Sequence, residues 1–324
     1  MICKITKKKI KPFMSFGKMP IANGFLKKKD FKKEYFFNME VGFSKDISLF
    51  QLNNHPKPKL MFNKNYPFFT GSSKGMINHF KKYSNWIKKN YLKNKSNLIE
   101  IGSNDGTFLS NFKGNNFNTL GIEPSANVAK VSKKKGIKTL NSFFTFKNVK
   151  KLKKFEKKTD IICAANVICH VPNLIDLIKG VDFLLNQKGL FIFEEPYLGS
   201  MYEKTSYDQI YDEHIFIFSV NSIKKIFKLF NLELINAIPQ KTHGGSMRYV
   251  IGRLGENKIN KNVDKLLKYE KKKKIDSLKG CLNFKKKCEI SKKNLKIKIN
   301  NILKSGKKIA GYAATSKSTT ILNY

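Results

Sequence analysis

The segment N-L-I-E-I-G-S-N-D-G, from Asn97 to Gly106, decides the fold of this chain. An apolar strand over 98–101 carries an acid at Glu100 and ends in a loop that begins at Gly102, after which T-F-L-S-N-F predicts a helix. A glycine-rich loop between a strand and a helix lets a ligand lie against backbone N–H groups. Glycines that only turn the chain would give the same loop, so this segment alone leaves both interpretations open.

The next apolar run, T-L-G-I-E-P-S, favours a ligand site. It ends in Glu123, which is followed by Pro124. An acid at the end of the second strand of such a unit can bind the two hydroxyls of an adenosine ribose. The two segments together predict a nucleoside site.

Strands and helices alternate along the middle of the chain. The predicted strands are 98–101, 118–122, 160–164, 189–194, 232–237 and 247–252, and the predicted helices are 76–92, 105–112, 125–135, 174–186 and 220–230. Such alternation indicates an α/β fold with a mostly parallel sheet. Too little chain joins the last two strands for a helical crossover, so we expect them to form an antiparallel hairpin.

The two ends of the chain differ from this middle part. Residues 1–70 predict a small N-terminal domain with short strands such as D-I-S-L-F-Q-L, and 71–254 predict the central domain. Residues 255–324 predict a Lys-rich helical linker over 257–304, then a strand, a small-residue loop and the start of a helix. One strand cannot make a sheet, so we expect this C-terminal α/β domain to be incomplete.

The composition excludes a disordered chain and argues against a nucleic-acid binder. The sequence has 324 residues, is 41% hydrophobic and carries a net charge of +41. Its only arginines are Arg248 and Arg253, whereas nucleic-acid surfaces usually draw on the bidentate guanidinium group. The lysines run through the whole chain, which indicates a solvated surface. We therefore expect neither nucleic acid nor membrane as a partner.

The cysteines and the N-terminus predict a cytoplasmic protein. The five cysteines form no C-x-x-C pair, and the N-terminus has no apolar stretch like that of a signal peptide. No apolar run reaches the roughly 20 residues that a membrane helix needs. The sequence carries no signal for an oligomeric state.

Four internal segments and the C-terminus resemble one family. They are E-I-G-S-N-D-G-T-F-L (100–109), A-N-V-I-C-H-V (165–171), Y-D-Q-I-Y-D-E-H (207–214), T-H-G-G-S-M-R (242–248) and G-Y-A-A-T-S-K-S-T-T-I-L-N-Y (311–324). In this order they resemble the sugar C-methyltransferases, which use S-adenosylmethionine (SAM) to methylate nucleotide-linked 4-keto-deoxysugars. The resemblance implies a Rossmann-like class I methyltransferase sheet, a small zinc-binding N-terminal domain and a C-terminal α/β domain that helps hold the nucleotide-linked sugar.

The zinc site of that family is not matched by the residues of this chain. The family's N-terminal domain is similar to a cage of four thiolates, but here only Cys3 stands at a ligand position, and the others fall near Thr6, Ser44 and Ile47. None of these three supplies a soft anionic ligand. We predict that zinc is absent and that apolar packing holds the domain together.

Methylation of a carbon requires a base, a donor for the enolate oxygen and two ligands held face to face. The motif Y-D-E-H supplies Tyr211, Glu213 and His214. The resemblance implies that His214 is the base and that Glu213 and Tyr211 hold or polarise the sugar. It also implies a role for His170 at the sugar or enolate, for which a buried core histidine is the alternative.

The remaining candidate residues are ligand contacts. The predicted SAM contacts are Glu100, Gly102, Ser103, Asn104, Asp105, Gly106, Glu123, Pro124, Asn166, Tyr66 and Ser72. The predicted substrate or diphosphate contacts are His243 and Arg248. Simple packing is the alternative for Tyr66 and Ser72, and a tight hairpin would by itself explain the glycines beside His243.

Three other functions stay open at this point. The chain could be an O- or N-methyltransferase on another small molecule, in which case His214→Ala would leave activity largely intact. It could be a non-catalytic remnant that binds SAM, or a nucleic-acid binder whose affinity falls steeply with salt.

Overall fold

A computed structural model describes residues 1–92, 95–114, 116–312 and 315–324. The strands are β1 Pro12–Pro20, β2 Phe36–Ser44, β3 Leu49–Leu52, β4 Ser96–Ile101, β5 Phe117–Ile122, β6 Thr139–Leu140, β7 Thr159–Ala165, β8 Leu185–Pro196, β9 Phe216–Ile217, β10 Leu232–Gln240 and β11 Ser246–Arg253.

The helices that cover these strands vary widely in length. They are α1 Pro58–Met61, α2 Lys74–Tyr91, α3 Ala126–Lys134, α4 Phe146–Val149, α5 Leu174–Leu184, α6 Leu198–Lys204, α7 Val220–Lys228, α8 Lys261–Lys273, α9 Leu278–Lys304 and α10 Ser316–Asn323. Short 3-10 helices form at Lys28–Lys33, Thr70–Ser72, Leu109–Asn111, Lys153–Phe155, Ile168–His170, Tyr207–Gln209 and Thr242–Gly244.

The central sheet has seven strands in the order β10-β11-β8-β7-β4-β5-β6. All neighbours pair in parallel except β11, which is antiparallel to both β10 and β8. This arrangement confirms the predicted α/β fold with a class I methyltransferase sheet, including the closing hairpin. Strands β4, β7 and β8 are buried along most of their length, which is why they read as continuous apolar runs.

The strand order reverses beside β4. From β4 the chain runs outward through β5 to β6, and it then returns to β7 on the other side of β4. In an open parallel sheet, ligands bind outside the carboxyl ends of the strands at such a reversal. The glycine loop after β4 and the turn after β7 both lie there.

A second, antiparallel sheet has the order β1-β2-β3-β9. Its last strand, β9, follows the Y-D-E-H motif directly and pairs with β3, with Phe50 opposite Ile217. The small N-terminal sheet is therefore completed by a strand from the central part of the chain. This pairing holds the Y-D-E-H motif at the junction of the two sheets.

Two predicted helices differ from the structure. Only Leu109–Asn111 is helical within the predicted helix 105–112, because the Asp105 carboxylate accepts bonds from the Thr107 amide and hydroxyl and so favours a turn. The predicted linker helix over 257–304 is divided into α8 and α9, since Lys274 adopts a left-handed conformation with φ of 58° that ends the first helix.

The strand predicted after the linker is also wrong. Residues 307–312 form no regular structure, and no strand within the described ranges lies beside them to supply hydrogen bonds. Ala313 and Ala314 of the predicted loop lie outside the described residues. The helix start is confirmed by α10, which packs on β1 and on the 3-10 helix Tyr207–Gln209.

No helix among the described residues combines the length and apolarity needed to cross a membrane.

Candidate active site

A cavity of about 990 Å³ opens at the carboxyl ends of β4, β5 and β7. This volume lies at the upper end of the range for ligand pockets, roughly 300–1,000 Å³. Its walls come from segments that are distant in sequence, at residues 23, 25, 58–59, 62, 66–68, 70, 76, 80, 100–104, 107–108, 122–124, 143–145, 148, 165–167, 170–173, 176, 211, 213–214, 243 and 315–317. The cavity therefore joins the predicted SAM loop to the Y-D-E-H motif.

The glycine loop is shaped by a close approach to the turn after β7. Gly102 has a φ of 68°, and a Cβ at this position would lie 2.4 Å from Val167 Cγ2, so only glycine fits. Asn104 follows with a φ of 48°, and its side chain bonds the backbone of Phe68 and Thr70. The loop is thus fixed on both sides while its edge faces the cavity.

Two carboxyl groups lie at the ends of the adjacent strands β4 and β5. Glu123 accepts hydrogen bonds from the backbone N–H of Asn104 at 2.9 Å and of Ser125 at 2.7 Å. Burial raises the pKa of Glu123 although both bonds oppose the shift. Burial and the charges of Glu123 and Asp105 raise the pKa of Glu100 well above its ordinary value. A cationic ligand would lower the pKa of both groups.

Several buried polar atoms of the cavity wall have no hydrogen-bond partner among the described residues. They are Glu100 Oε2, Ser103 Oγ, Asn166 Oδ1, His170 Nε2 and His243 Nε2. Buried polar atoms are normally bonded, so these five are available to a ligand. They include acceptors at the predicted SAM end and ring nitrogens at the predicted sugar end. This donor and acceptor set fits SAM at the glycine loop.

A series of rings forms the wall between these two ends. Neighbouring ring centroids are separated by 5.5 Å from Tyr66 to Phe62, 5.5 Å from Phe62 to His170, 5.3 Å from His170 to His214 and 4.2 Å from His214 to Tyr211. The structure therefore brings His170 and His214 together, although 44 positions separate them in the sequence.

The tautomer of His214 follows from its partners. Its Nδ1 lies 2.7 Å from the Gln209 carbonyl oxygen, which can only accept, so Nδ1 carries the hydrogen. Its Nε2 is then the unprotonated atom, 3.1 Å from the Tyr211 hydroxyl. Burial and the neighbouring His170 lower the pKa of His214 well below its ordinary value, so the ring is neutral at physiological pH. Its lone pair accepts the hydrogen bond of the Tyr211 hydroxyl, and it can take up a proton when that hydroxyl turns to a substrate oxygen.

Glu213 is buried beside this pair. Burial and the charge of Asp212 raise the pKa of Glu213 to about 8, and the hydrogen bond with Tyr66 opposes the shift. Burial also raises the pKa of Tyr211 well above its ordinary value, so its hydroxyl keeps its proton. Tyr66 thus contacts the predicted sugar end as well as the predicted SAM end.

Among the wall residues to which sequence reasoning assigned no role, three have contacts or charges that bear on the site. Asn23 and Phe62 come from the N-terminal domain, and Lys317 comes from α10. Burial lowers the pKa of Lys317, and the charge of Lys317 contributes to lowering the pKa of His214 and of His243. Lys317 belongs to the C-terminal motif at 311–324. That motif indicated the family, but it did not indicate a role for Lys317 itself. Asn23 and Phe62 carried no motif signal.

Four predicted contacts do not line the cavity, and their ligand roles stay predictions. The Ser72 hydroxyl donates to the Phe69 carbonyl, and the Asp105 carboxylate pairs with Lys135 and accepts from the Gly71 N–H. A Cβ on Gly106 would lie 2.6 Å from Ser132 Oγ, which gives this glycine a packing role.

Arg248 is the fourth predicted contact that does not line the cavity. Its guanidinium is buried on β11, bonds Glu194 at 2.7 Å and stacks over the rings of Tyr83 and Trp86. His79 bonds the other oxygen of the same carboxylate at 2.6 Å. His243, the other predicted substrate contact, does line the cavity.

Of the four predicted zinc positions in the N-terminal domain, Cys3 alone carries a thiol. Cys3 is fully buried in an apolar cluster with Ile5, Ile47 and Leu49, and its sulfur accepts a hydrogen bond from the Thr6 N–H. Within the described ranges, one group of three His, Cys, Asp or Glu side chains has donor atoms close enough for a metal. It is Cys169, His170 and His214 in the cavity, with these atoms within 4.8 Å of one another. That the chain holds no metal stays a prediction.

Comparisons with known proteins find matches over most of the chain. Residues 77–237 match the family model of a methyltransferase domain, residues 241–324 match that of a C-methyltransferase C-terminal domain, and residues 3–62 match the model described as "Putative zinc binding domain". C-methyltransferase NovU of Streptomyces niveus is 24% identical over 312 residues, which cover 95% of this chain and 74% of the relative.

Two solved structures are also similar to the chain. The PH0226 protein of Pyrococcus horikoshii is 15% identical with a TM-score of 0.45 and covers 57% of this chain and 94% of its own. A SAM-dependent methyltransferase of Clostridium acetobutylicum is 15% identical with a TM-score of 0.42. The match covers 54% of this chain and 92% of the methyltransferase.

The sheet, the cavity and the domain matches define the chain as a SAM-dependent methyltransferase. Within that class its similarity is to the C-methyltransferases.

Proposed function

We propose that the chain methylates a carbon next to the ketone of a nucleotide-linked 4-keto-deoxysugar. The observation that carries this proposal is the pair formed by the Tyr211 hydroxyl and the unprotonated Nε2 of His214 on the cavity wall. Transfer to oxygen or nitrogen needs no proton abstraction from carbon, whereas transfer to carbon does. A buried neutral histidine beside a hydroxyl donor supplies both groups that an enolate requires.

SAM would lie along the glycine loop, with its ribose at Glu123 and its cationic part near Glu100. When bound, it supplies an electrophilic methyl group, which the enolate carbon takes up as the sulfonium becomes a thioether. The free oxygens of Glu100 and Asn166 and the hydroxyl of Ser103 are the groups we expect to hold it.

His214 removes the proton from the carbon next to the ketone through Nε2. The Gln209 carbonyl then stabilises the resulting imidazolium through the Nδ1 hydrogen, because a carbonyl dipole pointed at that hydrogen favours the charged ring. The ring later releases the proton to solvent. A general base contributes roughly 10²–10⁴-fold to such a step.

Tyr211, Lys317 and Glu213 hold the other atoms of the substrate. The Tyr211 hydroxyl donates to the developing enolate oxygen, and Glu213 accepts from a sugar hydroxyl. Lys317 adds a positive charge on the side of His214 and His243. That charge fits either the enolate oxygen or the diphosphate of a nucleotide-linked sugar.

Two variants test SAM binding and proton abstraction separately. Glu123→Ala tests the binding of SAM, and His214→Ala tests the abstraction of the proton. We expect His214→Ala to bind SAM with unchanged affinity, measured by calorimetry, and to lose methyl transfer to nucleotide-linked keto-sugars by at least about 10²-fold. The variant should also lose deuterium exchange at the carbon next to the ketone, measured with S-adenosylhomocysteine in place of SAM. Glu123→Ala should lose SAM affinity itself.

Intact methyl transfer by His214→Ala would contradict proton abstraction by this residue and indicate an O- or N-methyltransferase. A folded chain that binds no SAM would contradict the whole proposal.

A further inference from the structure

The segment after β1 leaves the N-terminal sheet and reaches the cavity. Its residues Asn23 and Phe25 both line the cavity wall. The backbone N–H of Ala22 donates to the Asp212 carboxylate at 3.3 Å. A segment of the N-terminal domain is thereby attached to the Y-D-E-H motif, 190 residues further along the chain.

The side-chain amide of Asn23 bonds two other parts of the chain at once. Its Nδ2 donates to Glu213 Oε1 at 2.6 Å, and its Oδ1 accepts from the Ser316 hydroxyl of α10 at 3.1 Å. In this orientation the amide nitrogen donates to Glu213, which favours the ionised form of the carboxyl group, and the amide oxygen accepts from the Ser316 hydroxyl. The two partners together fix the orientation of the amide.

We propose that Asn23 is a positioning residue that holds the Glu213 carboxylate in the orientation its substrate contact requires. This inference rests on the proposed function of Glu213. It gives the N-terminal domain a direct part in the active site that is independent of any metal. Asn23 does not touch the reacting atoms in this role and acts through Glu213.

The surroundings of Glu213 explain why a donor is needed there. Asp212 and Tyr211 face it from its own segment, Tyr66 from the segment before α2 and Cys169 from the turn after β7. Lys317 of α10 is charged and lines the same cavity. Asp212 and burial both disfavour the ionised carboxylate, and the bonds from Asn23 and Tyr66 favour it. Without Asn23 the carboxylate would lose one of these two stabilising bonds.

Kinetics of Asn23→Ala and Asn23→Asp test this role. We expect kcat on the sugar substrate to fall by about 10-fold or more, since small displacements in an active site have effects of this size. SAM affinity should stay unchanged. The limb of the pH–rate profile that reports Glu213 should move to higher pH in Asn23→Ala and further in Asn23→Asp, which adds a second carboxylate. The matched control is Asn54→Ala, an exposed asparagine of the same domain that bonds the Asn38 carbonyl.

Thermal unfolding as a function of pH tests the contact without any activity. The raised pKa of Glu213 means that its stabilising contribution is lost as pH rises towards about 8. Removal of the Asn23 donor raises that pKa further, so the melting temperature of Asn23→Ala should fall increasingly below that of the wild type as pH passes 8. In a Glu213→Gln background this pH-dependent difference should disappear.

These outcomes distinguish the failure of the inference from failure of the proposed function. The coupling between Asn23 and Glu213 in unfolding would support the positioning contact even if the chain methylated no sugar. The positioning role would be overturned if Asn23→Ala kept the kcat and the pH–rate profile of the wild type. It would also be overturned if the pH-dependent difference in melting temperature that Asn23→Ala causes persisted in the Glu213→Gln background.

Discussion

At the scale of single residues, the buried Glu195 positions two candidate ligand residues, Asn166 and His170. Its Oε1 accepts hydrogen bonds from the backbone N–H groups of Val167 at 2.9 Å and Ile168 at 2.6 Å. These bonds hold the turn after β7 that carries Asn166 and His170. Burial raises the pKa of this carboxyl group to about 7, although the bonds from the turn oppose the shift.

Glu195→Gln should change how stability depends on pH. Because the folded pKa is above the ordinary value of 4.5, the unfolded chain releases this proton first, and stability falls as pH rises from about 4.5 to about 7. The slope for one such group is up to about 1.4 kcal/mol per pH unit. We expect the variant to gain stability relative to the wild type across this window and to keep a constant difference above it.

Urea unfolding between pH 4.5 and 8.5 measures this difference. Comparison with the wild type cancels the other buried acids with raised pKa values, which are Glu100, Glu123, Asp212, Glu213 and Glu270. Glu256→Gln, which replaces an exposed carboxyl group, is the control. A difference in unfolding free energy between wild type and variant that does not change with pH would contradict the raised pKa of Glu195.

Site residues could be predicted from the sequence where they end a strand or belong to a motif that resembles the family. Glu123 was predicted in the first way and His214 in the second, and both line the cavity. Asn23 and Phe62 were not, because their contacts with Glu213 and His170 cross more than 100 positions and depend on how the N-terminal sheet meets the central one. Periodicity and spacing report local structure and carry no information about such contacts.

At the scale of elements, the Arg248 side chain joins β11 to β8 and α2. It bonds the buried Glu194 of β8 and stacks on Tyr83 and Trp86 of α2, while His79 of the same helix bonds Glu194. Burial alone would raise the pKa of Glu194, but the bond from His79 and the charge of Arg248 outweigh it and lower that pKa. The carboxylate is therefore ionised inside the protein.

Arg248→Met should destabilise the protein by about 3–5 kcal/mol, because it leaves the ionised Glu194 buried with only His79 beside it. Urea unfolding at neutral pH measures the loss. Lys153→Met is the control, since the pair of Lys153 with Glu156 is largely exposed and should contribute little. A variant of unchanged stability that binds substrate more weakly would instead support the substrate contact predicted from the sequence.

The elements themselves were predictable where hydrophobic pattern alone decides them. Strands β4, β7 and β8 are long apolar runs, and α2 has a clear amphipathic spacing. The helix expected at 105–112 failed because the Asp105 side chain competes for backbone donors. The strand expected at 307–312 failed because a strand needs a neighbour, which no local pattern specifies.

At the scale of the whole molecule, the cavity depends on three regions that are distant in sequence. The segment after β1, the carboxyl edge of the central sheet and α10 meet at Glu213, through Asn23 and Ser316. Tyr324 at the end of α10 packs against Phe16 of β1 at 4.8 Å and Tyr207 at 5.8 Å. Aromatic rings meet at the end of α10, while the chain as a whole carries a net charge of +41.

This charge leads to a prediction for the molecule as a whole. Most lysines are exposed and too few acids are present to pair with them, so the folded state repels itself more than the expanded chain does. Salt screens this repulsion, because the Debye length falls from about 30 Å at 0.01 M to about 8 Å at 0.15 M. We therefore expect the melting temperature to rise by several degrees between 0.01 and 0.3 M sodium chloride, measured by calorimetry at pH 7. Sucrose of equal osmolality is the control, since it leaves the charge unscreened. A melting temperature that falls with sodium chloride would mean that attractive pairs such as Lys8–Asp46 and Lys135–Asp105 outweigh the net repulsion.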